Sequence, residues 1–272
     1  MPELAEVEYY RKAWSPGLKH KIVAVHLDPQ ARIFRGSDAI ALKKSLPGSR
    51  LQHSVAHGKQ MLFRFDRDLW LGIHLGMTGQ LRCEPPHHRP TKHEHLVLFQ
   101  AQRALVFSDF RLFGRIRFER SPHEPEWWTK QAPALLSSAF TVAAMTEFLK
   151  RRKNAPLKAV LLMQDRFPGL GNWMVDEILW RAALHPARKA GSLEAREIRT
   201  LWKEIRWVSR KALKIIGHDF SDPPQSWLFL HRWKKGGKCP RTGDTLKRAE
   251  IGGRTTCWSP ARQKLKPLSA VS

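Results

Sequence analysis

Cysteine is scarce in this chain, with only Cys83, Cys239 and Cys257 among 272 residues. Three scattered cysteines cannot build a disulfide framework, so a reducing, cytoplasmic setting is expected. Long apolar runs are missing too. No stretch approaches the roughly 18 residues needed to cross a bilayer, so a membrane partner is not expected. Residues 1 to 20 begin with acids and lack an apolar run, and no secretory signal is expected either. Acidic residues are few, 24 Asp and Glu against 48 Lys and Arg, and the resulting charge of +24 is spread along the chain. Such a surface suits a polyanion. What is present is 42% hydrophobic content, enough at this length for the cores of two modest domains and too much for a disordered chain.

The opening residues, Met1-Pro-Glu-Leu-Ala-Glu-Val-Glu8, bring an amine and carboxylates together. Removing Met1 leaves Pro2 at the N-terminus. A free α-amino group has a pKa of about 7.7 to 8.0, so much more of it is neutral near pH 7.4 than the roughly 0.1% of an ordinary lysine. A neutral amine can attack a sugar aldehyde carbon. Glu3 beside it and Glu6 one helical turn on supply an acid and a second carboxylate. The plainer reading is the acidic first turn of a helix running to about Trp14, favoured by the macrodipole. These residues alone favour the plainer reading.

From Lys21 to Glu119 the pattern predicts short strands at Ile22 to Leu27, Gln60 to Phe65, Leu69 to His74, Leu96 to Phe99, Ala104 to Phe107 and Arg115 to Phe118. Helical periodicity there is confined to the start and, weakly, to Ala39 to Leu46. A β-sandwich packed against the N-terminal helix is expected. The proline-rich Ser121 to Pro133 breaks the pattern and reads as a linker. Helices are predicted over Phe140 to Arg151, Leu157 to Gln164 and Asn172 to Ala183. Ile198, Leu201, Trp202, Ile205, Val208 and Ile215 mark one face of a longer helix. Trp227 to Trp233 and Ile251 to Trp258 flank a Gly-rich basic segment and read as the two strands of a hairpin. The fold class is α+β. It divides into a sandwich domain over 1–125, a helical domain over 133–220, a hairpin over 221–264 and a tail over 265–272.

The most specific internal stretch is Asp165-Arg-Phe-Pro-Gly-Leu-Gly-Asn-Trp-Met-Val-Asp-Glu-Ile-Leu-Trp-Arg-Ala-Ala-Leu-His-Pro186. Gly169 and Gly171 allow tight turning, and Asn172 is placed to cap the next helix. Amides exposed at that helix start can hold a phosphate, although a ligand-free helical core reads equally well from these residues alone. The charge of +24 tilts the balance towards nucleic acid.

The Pro2-Glu3 start and the Gly-Leu-Gly-Asn stretch together resemble the formamidopyrimidine-DNA glycosylase and endonuclease VIII family, and the resemblance runs from Pro2 to Gln263. It implies a helix-two-turn-helix domain, damaged double-stranded DNA as partner, a monomer working beside the bacterial nucleoid, and no cofactor. By resemblance, Pro2 is the nucleophile that attacks C1′ and forms a Schiff base. Glu3 assists sugar-ring opening, Glu6 is a second family carboxylate, and Lys59 in His57-Gly-Lys-Gln-Met61 lies near the lesion's phosphate and sugar. His74-Leu-Gly-Met-Thr-Gly79 and Ser108-Asp-Phe-Arg-Leu-Phe-Gly114 are similar to the two loops that fill the void left by a flipped base, with Met77, Arg111 and Phe113 as the filling residues. An isolated Met or Phe is more often core, but both sit beside glycines in expected turns. Leu112 stands where the family often has a basic residue. His93, Arg111, Lys158, Asn172 and Arg254 match DNA-contacting positions. His93 and His95 could instead suggest a metal pair, but no third ligand has a convincing spacing.

The family's finger frame expects four zinc-binding cysteines, and here only Cys239 keeps its place. Thr242, Ser259 and Arg262 stand at the other three positions, and Cys257 is two residues out of register. No metal is therefore expected, and a zincless hairpin held by Trp233, Ile251 and Trp258 is predicted. The implied activity is that of a bifunctional glycosylase and abasic-site lyase that excises oxidised bases and cuts by β,δ-elimination. Formamidopyrimidine and 8-oxoguanine lesions are favoured. The alternatives are an endonuclease VIII-like preference for oxidised pyrimidines, suggested by the short Gly217 to Cys239 segment, and a damage-binding protein without catalysis. A basic RNA-binding module would need stacking platforms, and none is recognised.

Overall fold

A computed structural model describes residues 1–265, so 266–272 of the expected tail lie outside the described residues. The chain forms two compact units, Met1–Gln131 and Ala132–Ser272.

Two-residue alternation builds the first unit. Met61, Phe63 and Phe65 share one face of their strand, and Leu69, Leu71 and Ile73 share one face of the next; all are buried in one core. The strands are β1 (Ile22–Leu27), β2 (Leu51–His57), β3 (Gln60–Phe65), β4 (Leu69–His74), β5 (Gln80–Glu84), β6 (Glu94–Gln100), β7 (Arg103–Ser108) and β8 (Arg115–Arg120). They pair antiparallel into two four-stranded sheets, β1-β6-β7-β5 and β2-β3-β4-β8. The expected sandwich is present. β2 and β5 were not predicted, because Leu51-Gln-His-Ser-Val-Ala-His57 and Gln80-Leu-Arg-Cys-Glu84 carry too few apolar residues to show a period. Pairing with β3 and β7 makes them strands.

Helix α1 (Leu4–Ala13) packs on β2, β3 and β5. Its last turn leads to Trp14, which is fully buried and donates its Nε1–H to the Val106 carbonyl at 3.2 Å. Helix α2 (Ala39–Ser45) is capped by the Asp38 carboxylate, which accepts the Ala41 amide at 2.8 Å. Within the Ser121 to Pro133 stretch, α3 (Glu126–Thr129) belongs to the first unit, and its Trp127 packs on Gly72 of β4.

In the second unit, 3.6-residue periodicity produces α4 (Val142–Arg151), α5 (Leu157–Leu161), α6 (Asn172–Arg181) and α7 (Ala195–Asp219). Between α5 and α6 the chain makes the expected two turns, closed by Arg166 N–H to the Met163 carbonyl and Leu170 N–H to the Phe167 carbonyl. Gln164 staples the second turn, since its amide group bonds Leu170 O at 2.8 Å and accepts Gly169 N–H at 3.1 Å. Three expectations need correction here. Gly171, not Asn172, is the N-cap of α6. Gly171 has φ −129°, so only Gly169, at φ +91°, uses left-handed freedom. On α7 the buried face ends with Ala212 and Ile216, while Ile215 is only partly covered, because the face drifts round a 25-residue helix.

The hairpin also differs from its predicted strands. It is β9 (Lys247–Ile251) and β10 (Arg254–Trp258), joined by Gly252-Gly253 with φ +63° and +72°. Two consecutive positive φ values make the tight turn that matches strand twist, and glycine adopts them without strain. Trp227 to Trp233 is not a strand; Leu228–Leu230 form a single 3-10 turn. Nor do Trp233, Ile251 and Trp258 hold the hairpin. Trp233 is 53% exposed, whereas Trp180, Leu228, Cys239, Leu246 and Cys257 form the buried cluster. Trp258 stacks edge-on against His185 at 5.2 Å.

Candidate active site and nucleic-acid interface

The amine and carboxylates of the opening residues lie where α1 begins. Glu3 is its N-cap, 3% exposed, and forms a reciprocal capping box with Glu6, whose Oε2 accepts the Glu3 amide at 3.2 Å. Capping satisfies helix donors that have no partner within the helix, so both side chains have a structural role at this helix start. Pro2 precedes the cap and is partly exposed.

Lys59 sits in the Gly58-Lys59 turn between β2 and β3, where His57 pairs with Gln60. It is 8% exposed, not the solvated lysine such a position usually carries. Its charge reaches His74. Burial first, then Lys59, Arg117 and Arg35, hold the His74 imidazole down at about 4, so it is neutral near pH 7. Its Nδ1 accepts the Gly76 amide at 3.0 Å, which leaves the ring proton on Nε2.

The two expected void-filling loops are tied together by Asp109, a fully buried residue that the sequence did not single out. Its carboxylate accepts Thr78 Oγ1 at 2.6 Å and the Gly114 amide at 2.6 Å. The loop tips stand outward, with Met77 42% and Phe113 40% exposed and the Arg111 guanidinium 4.7 Å above the Phe113 ring. Leu112, at φ +55°, instead turns onto the sandwich core. His93 stacks edge-on against the exposed Phe110 at 4.9 Å, while His95 bonds the Asp109 carbonyl at 3.0 Å. The two histidines are thus engaged separately rather than as a metal pair.

In the second unit, Asn172 and the start of β10 come together. The Asn172 side-chain amide donates to the Thr255 carbonyl at 2.9 Å, next to Arg254, which projects exposed from the hairpin turn. Asn172 Oδ1 is buried without a hydrogen-bond partner. Lys158, expected at a DNA-contacting position, has a side chain that is 0% exposed. Its Nζ donates to Asp176 at 2.6 Å and to the Asn172 carbonyl at 2.8 Å. Asp176 also takes Arg232 Nη2 at 2.6 Å and the Cys257 amide at 3.0 Å.

The four finger-frame positions do not form a donor set suited to zinc. Cys239 Sγ accepts the Trp180 indole N–H at 3.3 Å. Ser259 Oγ donates to Asp244 at 2.9 Å, and Thr242 is hydrogen-bonded to the same carboxylate. Arg262, a cation where a ligand would stand, donates to the carbonyls of Trp180 and Arg181 at 2.7 and 2.8 Å. Burial and the Asp176 charge push the Cys257 thiol up to about 11. Among the described residues, no three His, Cys, Asp or Glu side chains converge. No described helix is long and apolar enough to cross a membrane.

Two family models match the chain: the formamidopyrimidine-DNA glycosylase N-terminal domain over residues 1–116, and the helix-two-turn-helix domain of the same enzymes over 132–222. The chain belongs to the formamidopyrimidine-DNA glycosylase family. The formamidopyrimidine-DNA glycosylase of Pelotomaculum thermopropionicum is 33% identical across 98% of this chain and 100% of its own length. That of Arabidopsis thaliana is 29% identical across 97% of this chain and 71% of its own. Among solved structures, wild-type Lactococcus lactis Fpg (MutM) in complex with DNA containing an oxidised pyrimidine matches at TM-score 0.88, 29% identity, 97% of this chain and 100% of that one. A MutM complex with carbocyclic 8-oxo-G DNA matches at TM-score 0.86 and 28% identity over the same shares.

Proposed function

We propose that this protein is a bifunctional DNA glycosylase and abasic-site lyase acting on oxidised bases in duplex DNA. The observation that carries the reading is the Pro2-Glu3 start, with Glu3 buried as the N-cap of α1 and bonded to Glu6, in a chain of this family. After loss of Met1, the Pro2 amine attacks C1′ of the flipped nucleotide, and the base leaves with the glycosidic electron pair. Glu3 protonates the ring oxygen as the sugar opens to a Schiff base, and β- and then δ-elimination release the sugar from both phosphates. Lys59 and Glu6 hold the sugar and its phosphate.

Residues 1–125 carry this chemistry, while 133–220 and the zincless finger over 221–264 grip the duplex through Asn172 and Arg254. His93 and Arg111 add backbone contacts, and Met77, Arg111 and Phe113 fill the void left by the flipped base. The cytoplasm is the setting. Formamidopyrimidine and 8-oxoguanine lesions are the favoured substrates, by the Met, Arg and Phe wedge. The short Gly217 to Cys239 segment favours oxidised pyrimidines as the second reading, and product release on a panel of lesion duplexes separates the two.

Borohydride trapping on an abasic-site duplex tests the chemistry. A covalent adduct is expected with processed protein, and none when an N-terminal tag blocks Pro2, although binding remains. Full trapping by a mass-verified tagged protein would assign the amine elsewhere. Binding without trapping by the processed protein would leave a damage-binding protein.

A further inference from the structure

The outer face of the β2-β3-β4-β8 sheet carries a pocket that the chemistry above does not use. Strand register sets His57, Gln60, His74 and Arg115 in one row and Val55, Leu62, Gly72 and Arg117 in the next. The alternate residues, among them Met61, Ile73 and Ile116, face the core. Trp127 lies so close over Gly72 that a Cβ there would stand 2.5 Å from the indole. Arg117 stacks on that indole at 4.6 Å. Beside it opens a pocket of about 250 Å³ lined by Arg35, Gln60, His74, Phe113, Arg115 and Arg117.

Three guanidiniums meet there without an acid, since none of the ion pairs among the described residues involves Arg35, Arg115 or Arg117. Arg35 is held in place by its Nη1, which donates to the Gly114 carbonyl at 2.9 Å and the Arg32 carbonyl at 3.2 Å. The buried Nε–H of Arg115 has no partner. A buried donor left unpaired bears its full desolvation penalty, so an acceptor belongs beside it. The His74 wall adds no negative charge. Several rigid forks of N–H donors around one small space match a tetrahedral oxyanion better than a planar carboxylate, which one fork would satisfy.

We propose that Arg35, Arg115 and Arg117, with Gln60 alongside, form a phosphate subsite that takes a backbone phosphate of the bound duplex. The choice of DNA as the source rests on the nucleic-acid reading above, and on the pocket's place between Lys59, which precedes Gln60, and Phe113 of the void-filling loop. The subsite is additional to the contacts assigned to His93, Arg111 and Arg254.

The test is the salt dependence of binding, by fluorescence anisotropy, of wild type and the Arg115→Gln/Arg117→Gln double variant to undamaged and abasic-site duplexes. Losing one phosphate contact should flatten the log-log slope by about 0.9 and weaken both duplexes by the same factor. In parallel, inorganic phosphate is titrated into wild type while the Arg115 Nε–H resonance is followed. An unchanged slope with a phosphate-sensitive resonance would assign the pocket to free phosphate and overturn the duplex source. An unchanged slope and a silent resonance would overturn the subsite. Should the double variant not fold, Arg115→Lys serves in its place, keeping the charge but losing the fork. It should keep the slope yet bind several-fold more weakly, and wild-type affinity would refute the proposal. Absence of a borohydride adduct with wild type would sink the glycosylase reading while leaving this comparison intact.

Discussion

Replacing Asp176 with alanine removes a carboxylate shared by Lys158, Arg232 and the Cys257 amide, which come from α5, the segment after the 3-10 turn, and β10. Asp176 itself is 1% exposed, and the Lys158 and Arg232 side chains are 0% and 4% exposed. The substitution leaves both cations buried without this counter-charge. Breaking a buried ion pair by removing one partner costs about 3 to 5 kcal/mol. The abandoned Cys257 N–H adds about 1 kcal/mol. At about 3 to 5 °C per kcal/mol for a unit of this size, the melting temperature should fall by about 12 to 30 °C. Calorimetry at pH 7.5, paired with urea titration, measures this directly. Asp176→Asn should cost less, because its amide oxygen can still accept the Cys257 N–H. A loss below about 1 kcal/mol for Asp176→Ala would refute the reasoning, showing that the cations swing to water when their partner is gone. Lys158→Ala provides the matching control: it should lower stability and leave the salt slope of DNA binding unchanged, the reverse of what a phosphate contact would do.

Arg254→Ala should weaken lesion and undamaged duplexes alike and flatten the salt slope by about one unit; a loss confined to one lesion would make Arg254 a base reader. Purified protein should carry no stoichiometric zinc and keep its melting temperature and nicking activity in EDTA, and one zinc per chain by elemental analysis would contradict the zincless reading. Trp180→Ala should cost about 3 to 5 kcal/mol, since this ring is fully buried in the hairpin cluster and bonds Cys239; a cost under about 1 kcal/mol would remove Trp180 from its centre. Burial, opposed by Arg181 and the Phe229 and Leu228 amides, raises Glu177 to about 7 from its ordinary 4.5. The folded state therefore binds the extra proton between those values, and stability should fall as pH rises from about 5 to 8. Glu177→Gln should flatten that limb, and a ¹³C carboxyl titration with its midpoint near 4.5 would refute it.

The sequence alone determined the elements whose pattern is local. Gln60–Phe65 and Leu69–His74 are short apolar runs punctuated by charged residues, enough to fix their bounds, and α7 shows its face through residues three and four apart. The Pro2-Glu3 start and the Gly-Leu-Gly-Asn stretch were legible because they are contiguous motifs. What the sequence could not carry is anything defined by partners distant in the chain. β2 and β5 are strands because β3 and β7 pair with them, not because their own residues alternate. The expected strand Ile251 to Trp258 contains β10, but its partner is Lys247–Ile251 across the Gly252-Gly253 turn rather than Trp227 to Trp233. Lys158 matched a DNA-contacting position by family resemblance, and the fold adds Asp176, 18 residues away, as its buried partner. Cys239, Thr242, Ser259 and Arg262 read as a broken zinc frame, and only the fold supplied Trp180, Asp244 and two backbone carbonyls as their partners. Arg35 and Arg115 are 80 residues apart in sequence, and only the folded sheet and its neighbouring loop bring them to one pocket. Local periodicity encodes which face of an element is apolar. Which polar groups share a buried space depends on long-range packing, and that only the tertiary structure decides.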